Sequence, residues 1–98
     1  WEGYVLEQVL AAVPVRDAYY WGTHSGAELD ILVFRHGRRY GIEIKHADAP
    51  TMTKSLRVAM EDLQLHRAAI VYPGDLSYPI DDKVSVIPIA QIETAFND

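Results

Sequence analysis

The sequence predicts an α/β domain in which a mixed β-sheet lies between helices. Two segments carry apolar residues at helical spacing, and a segment between them alternates polar and apolar residues as paired strands do. A short continuous apolar run follows the second helical segment. The 98 residues suffice for one modest core, so residues 1–98 are predicted to form a single domain with the element order α-β-β-β-α-β-β-α.

The first element is predicted to be an amphipathic helix. It ends before Pro14, because the residue that precedes a proline avoids helical geometry. Glu2 and Glu7 lie about one and a half turns apart on this helix, so only one of them can point toward the strands that follow. The apolar residues at helical spacing are Tyr4, Val5, Leu6, Val9, Leu10 and Val13.

Residues 18–21 are predicted to form a short aromatic strand, which ends at the Gly- and Ser-containing loop of residues 22–26. Exposed aromatic side chains can stack on nucleotide bases. Aromatics in strands more often pack within the sheet, however. Tyr20 and Trp21 are therefore interpreted as packing residues rather than as a platform for bases.

Residues 28–34 and 39–45 are predicted to form a β-hairpin, because both segments alternate at period 2 around a turn at His36-Gly37. A register symmetric about this turn pairs Arg35 with Arg38. Continued outward, it builds one apolar face from the pairs Val33 with Tyr40, Ile31 with Ile42 and Leu29 with Ile44.

The other face of the predicted hairpin carries charged residues. The same register puts Asp30 opposite Glu43 and Glu28 opposite Lys45. Like charges on facing strand residues are destabilising, and a divalent cation between the two carboxylates would reverse the sign of their interaction. The alternative is an ordinary solvated face, on which Glu28 and Lys45 form a weak surface ion pair.

A second helix is predicted after the hairpin, with Asp48 or Thr51 as its N-terminal cap. Residues 67–72 follow as a buried strand, parallel to the second hairpin strand because a crossover helix separates the two. Residues 84–87 are predicted to form a further strand. The apolar stripe of the second helix consists of Met52, Leu56, Ala59, Met60 and Leu63, and a C-terminal helix is indicated by Ile89, Ile92 and Phe96.

Composition narrows the classes of function. The chain has no cysteine, so thiolate chemistry is excluded, and its formal charge of −5 argues against avid DNA binding by the isolated domain. No apolar run approaches the roughly 20 residues of a membrane span and no signal peptide is visible, so a cytoplasmic location without a membrane partner is expected. No glycine-rich phosphate loop is present, so this domain is expected to bind no nucleotide. The chain begins at Trp1 within a helical pattern, which indicates a piece of a longer protein.

The charged hairpin residues resemble the PD-(D/E)XK nuclease motif. Asp30 stands in the place of the motif's aspartate, and Glu43-Ile44-Lys45 in the place of its E-x-K, while Leu29 replaces the proline. The resemblance implies the restriction-endonuclease-like fold, an αβββαβ core with a mixed sheet flanked by helices, here followed by a further strand and a C-terminal helix.

A closer resemblance covers nearly the whole chain. The segments that carry it are Trp1 to Gln8, Tyr20-Trp21, Gly26-x-Glu28-x-Asp30 and Ile42 to Lys45. They are similar to the nuclease-like C-terminal domain of uncharacterised bacterial and archaeal AAA-type ATPases. The resemblance implies an ATPase module N-terminal to this domain in the same chain. It also implies that Glu2, at the start of the first helix, completes the acidic cluster.

The resemblance implies a divalent-metal-dependent nuclease site. Asp30, Glu43, Glu2 and the backbone carbonyl of Ile44 would hold Mg²⁺ or Mn²⁺, which prefer oxygen ligands. Lys45 would orient the attacking water or stabilise the pentavalent phosphorane, so the expected catalytic set is Asp30, Glu43, Lys45 and Glu2. The expected function is hydrolysis of nucleic acid. The alternative is a catalytically inactive nuclease-fold module that docks onto its ATPase or regulates it, which the acidic charge and the absence of a clear basic groove favour.

Overall fold

The computed structural model describes residues 1–12, 18–22 and 26–92. The elements, in chain order, are helix α1 (Glu2–Ala12), strands β1 (Ala18–Gly22), β2 (Glu28–Arg35) and β3 (Arg38–Ile44), helix α2 (Lys54–Leu63), strands β4 (Arg67–Tyr72), β5 (Tyr78–Pro79) and β6 (Val84–Pro88), and a 3₁₀ turn (Ile89–Gln91). The α/β class is thereby confirmed.

The strands form a mixed sheet in the order β1-β2-β3-β4-β6-β5. Strand β2 is antiparallel to both β1 and β3. Strands β3, β4 and β6 run parallel to one another, and β5 is antiparallel to β6. The predicted parallel pairing of β3 with β4 across a helix is therefore confirmed. The two-residue strand β5 was not predicted, because a strand so short shows no alternation and its second residue is a proline.

Each helix covers its own hydrophobic cluster. The α1 cluster joins Val5 and Val9 to Ile31, Val33, Tyr40, Ile42, Ala69, Val71, Ile87 and Ile92, with Ile44 and Ile89 packed against it. The α2 cluster joins Leu56 and Ala59 to Leu29, Leu32, Leu65, Ala68, Ile70, Tyr72, Val84 and Val86. Successive residues of β4 alternate between the two clusters, as the side chains of a strand do. The sheet therefore lies between α1 and α2, as predicted.

Two predicted features of the helices are corrected or remain outside the described residues. The N-terminal cap of α2 is Thr53, whose side chain accepts a hydrogen bond from the Leu56 amide at 3.0 Å, and not Asp48 or Thr51. The predicted C-terminal helix begins as the 3₁₀ turn, and its continuation to Phe96 lies outside the described residues.

Candidate active site at the end of the hairpin

The hairpin turn and its register are confirmed where the ladder is complete. His36 and Gly37 both have positive φ, 54° and 73°, as the tight hairpin turn requires. The ladder pairs Arg35 with Arg38 and continues to Ile31 with Ile42. The acidic residues lie just beyond that last pair, at the end of β3 where α2 also begins.

The side chain of Asp30 takes the place of a backbone acceptor in the ladder between β2 and β3. The Lys45 amide donates to the Val71 carbonyl of β4 at 2.9 Å, so by strand alternation the Ile44 amide points the other way, toward β2. There it donates to Oδ2 of Asp30 at 2.7 Å. The Asp30 carboxylate is thus fixed against the backbone of β3.

The strand β2 changes its alternation at this position, which corrects the predicted apolar face. Leu29 packs in the α2 cluster, whereas Ile31 packs in the α1 cluster on the other side of the sheet. Two residues that flank Asp30 therefore point to opposite faces. The pairing of β1 with β2 is also irregular, between Tyr19 and Trp21. An irregularity of this kind inserts a residue into the alternation and re-aims a side chain, so Leu29 does not share a face with Ile31 as predicted.

Glu43 occupies the middle of the charged group. It is half-buried, and the Thr53 hydroxyl lies 3.4 Å from its Oε1 and 3.3 Å from its Oε2. Burial raises the pKa of Glu43, the positive charge of Lys45 and the hydrogen bond from Thr53 lower it, and the negative charge of Asp30 raises it further. Asp30 and Lys45 therefore both act electrostatically on Glu43. The facing cross-strand pairs, Asp30 with Glu43 and Glu28 with Lys45, stay predictions because the ladder stops at Ile31 and Ile42.

Tyr20 belongs to this region, contrary to its interpretation as a packing residue. Its side chain is 67 % exposed, while Trp21 packs against the α2 cluster as predicted. Local desolvation of the hydroxyl, followed by the charge of Glu28, a hydrogen bond with Glu28 and the charge of Asp30, raises the pKa of Tyr20. The phenol therefore stays protonated beside the acidic residues and can act as a hydrogen-bond donor.

The first turn of α1 reaches the same end of the sheet. The Trp1 ring packs on His46, with 5.3 Å between ring centroids, and His46 directly follows Lys45. The side chain of Glu2 lies outside the described residues, so its predicted part in the cluster stays a prediction. Among the side chains that the structure describes, no group of three or more Asp, Glu or His residues is placed to hold a metal ion.

Thr53 is the residue of this site that sequence reasoning missed. Its hydroxyl both caps α2 and contacts Glu43, so the start of the helix and the acidic residue are held together. The sequence does carry a signal for it. A capping threonine accepts a hydrogen bond from the amide three residues later, and Thr53 stands three residues before Leu56.

Replacing Thr53 with alanine is expected to lower the free energy of unfolding by about 1 kcal/mol, through loss of the cap. It should also raise the pKa of Glu43, because the hydrogen bond from Thr53 lowers that pKa. Urea unfolding at neutral pH measures the first effect. The matched control is Thr51→Ala, which removes an exposed threonine two residues away. A larger loss for Thr51→Ala than for Thr53→Ala would contradict the capping assignment.

Comparison with known proteins places the chain in a family. Residues 1–92 match the family described as a domain of unknown function, DUF4143. Two similar relatives are the uncharacterised proteins Mb2031c of Mycobacterium bovis and Rv2008c of Mycobacterium tuberculosis, each 49 % identical over 94 residues. The match covers 96 % of this chain and 21 % of each relative, so the chain spans about a fifth of their length.

No solved structure matches the chain. In the described part of the chain, neither helix has the length and apolar character to cross a membrane. The family match extends over all the elements named above, from α1 to the 3₁₀ turn. The chain therefore belongs to the DUF4143 family.

Proposed function

We propose that this chain is the nuclease-like domain of an AAA-type ATPase and hydrolyses phosphodiester bonds of nucleic acid with the help of Mg²⁺ or Mn²⁺. The observation that carries the proposal is the position of Asp30, bound to the Ile44 amide between Glu43 and Lys45 at the end of β3. The element order of the described chain, with two antiparallel hairpin strands, a crossover helix and a parallel strand, agrees with the restriction-endonuclease-like core that the PD-(D/E)XK resemblance implies.

The donor set at this end of the sheet fits a hard divalent cation. Asp30 and Glu43 offer carboxylate oxygens, and these are the ligands that Mg²⁺ and Mn²⁺ prefer. In an antiparallel pair of strands, the N–H and the C=O of one residue point toward the same neighbouring strand. The Ile44 carbonyl is thus expected to point toward Asp30, as its amide does, and to supply a third oxygen. Glu2 would be the fourth protein ligand.

The amide of Ile44 gives the site its rigidity. By holding one oxygen of Asp30, it fixes the carboxylate in one orientation and leaves the second oxygen to a ligand. Thr53, at the start of α2, makes a longer contact with both oxygens of Glu43, at 3.4 and 3.3 Å. Carboxylates held in this way lose little conformational freedom when a cation or a substrate binds, which is the benefit of a preorganised site.

The remaining polar groups would act on water and phosphate. A bound metal would lower the pKa of a coordinated water and stabilise the charge that develops on the phosphate. Lys45 carries an ammonium group with three donors, so it can orient the attacking water or contact a phosphate oxygen. Tyr20 would have to turn its single hydroxyl hydrogen from Glu28 to donate a hydrogen bond to a phosphate oxygen.

The ATPase part of the proposal rests on resemblance and on length. The relatives extend well beyond the matched region, because that region is only 21 % of each of them. A relative of that length has room for a module the size of an ATPase domain. We propose that such a module lies N-terminal to this domain in the same chain, and that nucleic acid is the shared partner.

The second candidate is an inactive nuclease-fold module that docks onto or regulates the ATPase. One observation favours it. The described side chains supply two carboxylates, each already engaged by a protein donor, and no group of three metal ligands. If Glu2 does not complete the cluster, the charged group would be a structural or vestigial feature.

Cleavage assays separate the two candidates. The chain is incubated with Mn²⁺ or Mg²⁺ and labelled single-stranded DNA, double-stranded DNA or RNA, and slow cleavage of at least one substrate is expected. Asp30→Asn should abolish the cleavage, since it removes the charge while it keeps the shape of the side chain. Asp75→Asn, the same change at an exposed loop position, should leave it intact. Absence of metal-dependent cleavage of all three substrates would overturn the nuclease and leave the inactive module.

A further inference from the structure

The end of the sheet opposite the acidic residues is basic. This end, where β3, β4 and β6 begin, is called the basic edge. Since β3, β4 and β6 run parallel, their first residues meet at one edge. Arg38 and Arg39 begin β3, Arg67 begins β4, and the carbonyl of Lys83, just before β6, accepts a hydrogen bond from Ala68 at 2.8 Å. With Arg35, which faces Arg38 across the hairpin, this edge holds five of the nine lysines and arginines of the chain.

Two segments that contribute to this edge carry no acidic residue. Residues 31–42 and 63–74 contain no aspartate or glutamate, although the whole chain has 14 acidic residues. Arg35 and Arg38 are paired directly across the turn, and facing like charges are destabilising. Glu61, Asp81 and Asp82 line neighbouring cavities together with Lys83.

A cavity of about 390 Å³ opens at this edge. Arg38 Nη1 lies 3.2 Å from His66 Nε2 on its wall, and the His66 amide donates to the Arg39 carbonyl at 2.7 Å. These contacts fix the wall of the cavity in place. The side chains that line it include Arg38, Arg39, His66 and Lys83.

Exposed aromatic rings continue the basic edge onto the hairpin. The guanidinium of Arg39 lies 5.9 Å from the centre of the Phe34 ring, and Tyr19 meets Phe34 edge-on with 5.5 Å between centroids. Phe34 is 41 % exposed and Tyr19 is 52 % exposed. One N–H of the Arg39 guanidinium donates to the Leu63 carbonyl at 2.8 Å, and a guanidinium has five. Arg39 is therefore held in place with donors left for an external acceptor.

We propose that this basic-aromatic surface, formed by Tyr19, Phe34, Arg38, Arg39 and Lys83, binds single-stranded nucleic acid. Arginine and lysine would contact successive phosphates, and the exposed rings would stack on unpaired bases. The combination distinguishes this ligand from two others. The bases of a duplex are stacked inside it and cannot stack on the exposed rings. An acidic protein segment has no bases to stack on them. The proposal goes beyond the acidic site, because binding here needs neither a metal nor cleavage.

Fluorescence anisotropy tests the proposal with a labelled oligo(dT) of about 12 nucleotides, a length within the usual range for single-strand surfaces. The buffer contains EDTA at low ionic strength, so a metal cannot contribute. Arg39→Ala and Phe34→Leu are each expected to weaken binding about tenfold. Lys54→Ala, which removes one positive charge at the other end of α2, should change it less than about twofold. Removal of one contacting cation should reduce the slope of log K against log salt by about 0.7.

Three results would overturn the proposal. They are absence of binding at low salt, equal binding of poly-glutamate of the same length, and an unchanged affinity in Phe34→Leu. The second would assign the surface to an acidic protein partner instead. Far-UV circular dichroism checks the fold of each variant, and Lys83→Ala replaces Arg39→Ala if the latter unfolds. Binding is measured without metal, so the two proposals can fail separately. Intact binding without cleavage would overturn only the nuclease. Cleavage without binding to this surface would overturn only the surface.

Discussion

Replacing Lys45 with alanine is expected to lower metal-dependent cleavage by about 10²- to 10³-fold, the usual cost of losing one group that stabilises transition-state charge. Metal affinity should change little, because an ammonium group cannot be a metal ligand. It should rise slightly if it changes at all, since Lys45 is the positive charge that acts on Glu43. Single-turnover cleavage rates and calorimetric titration with Mn²⁺ measure the two effects separately.

Two variants control this experiment. Asp30→Ala should lose both cleavage and metal binding, since it removes a proposed ligand together with the acceptor of the Ile44 amide. Arg57→Ala removes an exposed positive charge from α2 and should retain both properties. If Lys45→Ala cleaved at the rate of the unaltered chain, Lys45 would have no catalytic part. An equal loss of cleavage in Arg57→Ala would show that the effect of Lys45 is one of overall charge.

Magnesium is expected to stabilise the chain against unfolding, by about 2.7 kcal/mol when its concentration is a hundred times the dissociation constant. The effect should grow with pH. Burial raises the pKa of Glu43 above its ordinary value of 4.5, so the folded chain holds this proton more tightly than the unfolded chain does. The free energy of unfolding without metal therefore falls as pH rises from about 4.5 through the raised pKa, and this loss is complete above it. A cation bound to the ionised carboxylates would offset that loss.

Glu43→Gln is the variant that tests this linkage. Without metal it should be more stable than the unaltered chain at neutral pH, and the difference should shrink toward pH 4, where Glu43 is protonated. Magnesium should stabilise it much less than the unaltered chain. Urea unfolding at several pH values, with and without Mg²⁺, gives all of these quantities. Equal pH dependence in Glu43→Gln and the unaltered chain would mean that Glu43 is not the titrating group, and equal stabilisation by Mg²⁺ would remove it from the metal site.

The elements that depend on local pattern could be predicted from the sequence. The alternation of residues and the His36-Gly37 turn predicted the hairpin register correctly as far as the pair of Ile31 and Ile42. The helix between β3 and β4 predicted that these two strands are parallel. The charged group at the end of β3 also follows from local spacing, since Glu43 and Lys45 are two residues apart and Asp30 lies on the paired strand.

Features that depend on interrupted patterns or on distant segments could not be predicted. The change of face at Leu29 breaks the alternation from which the register was extended. Tyr20 is exposed because it lies within the irregular part of the pairing between β1 and β2. The basic edge needs β6 beside β4, a neighbour relation that no local spacing reveals, so Lys83 joins the arginines only once the strand order is known.

Charges of opposite sign lie near the two ends of β3, with Arg38 and Arg39 at its start and Glu43 close to its end. The strand runs from Arg38 to Ile44, six steps of about 3.3 Å, so the positive and negative ends are separated by roughly 20 Å. A molecule of net charge −5 is repelled by a polyanion at long range, but at closer approach the arginines at the start of β3 would attract it. The acidic end would then face away from the first point of contact. A strand captured at the basic edge would have to follow the length of the sheet to reach the carboxylates, so the distance between capture and cleavage would be set by the length of β3.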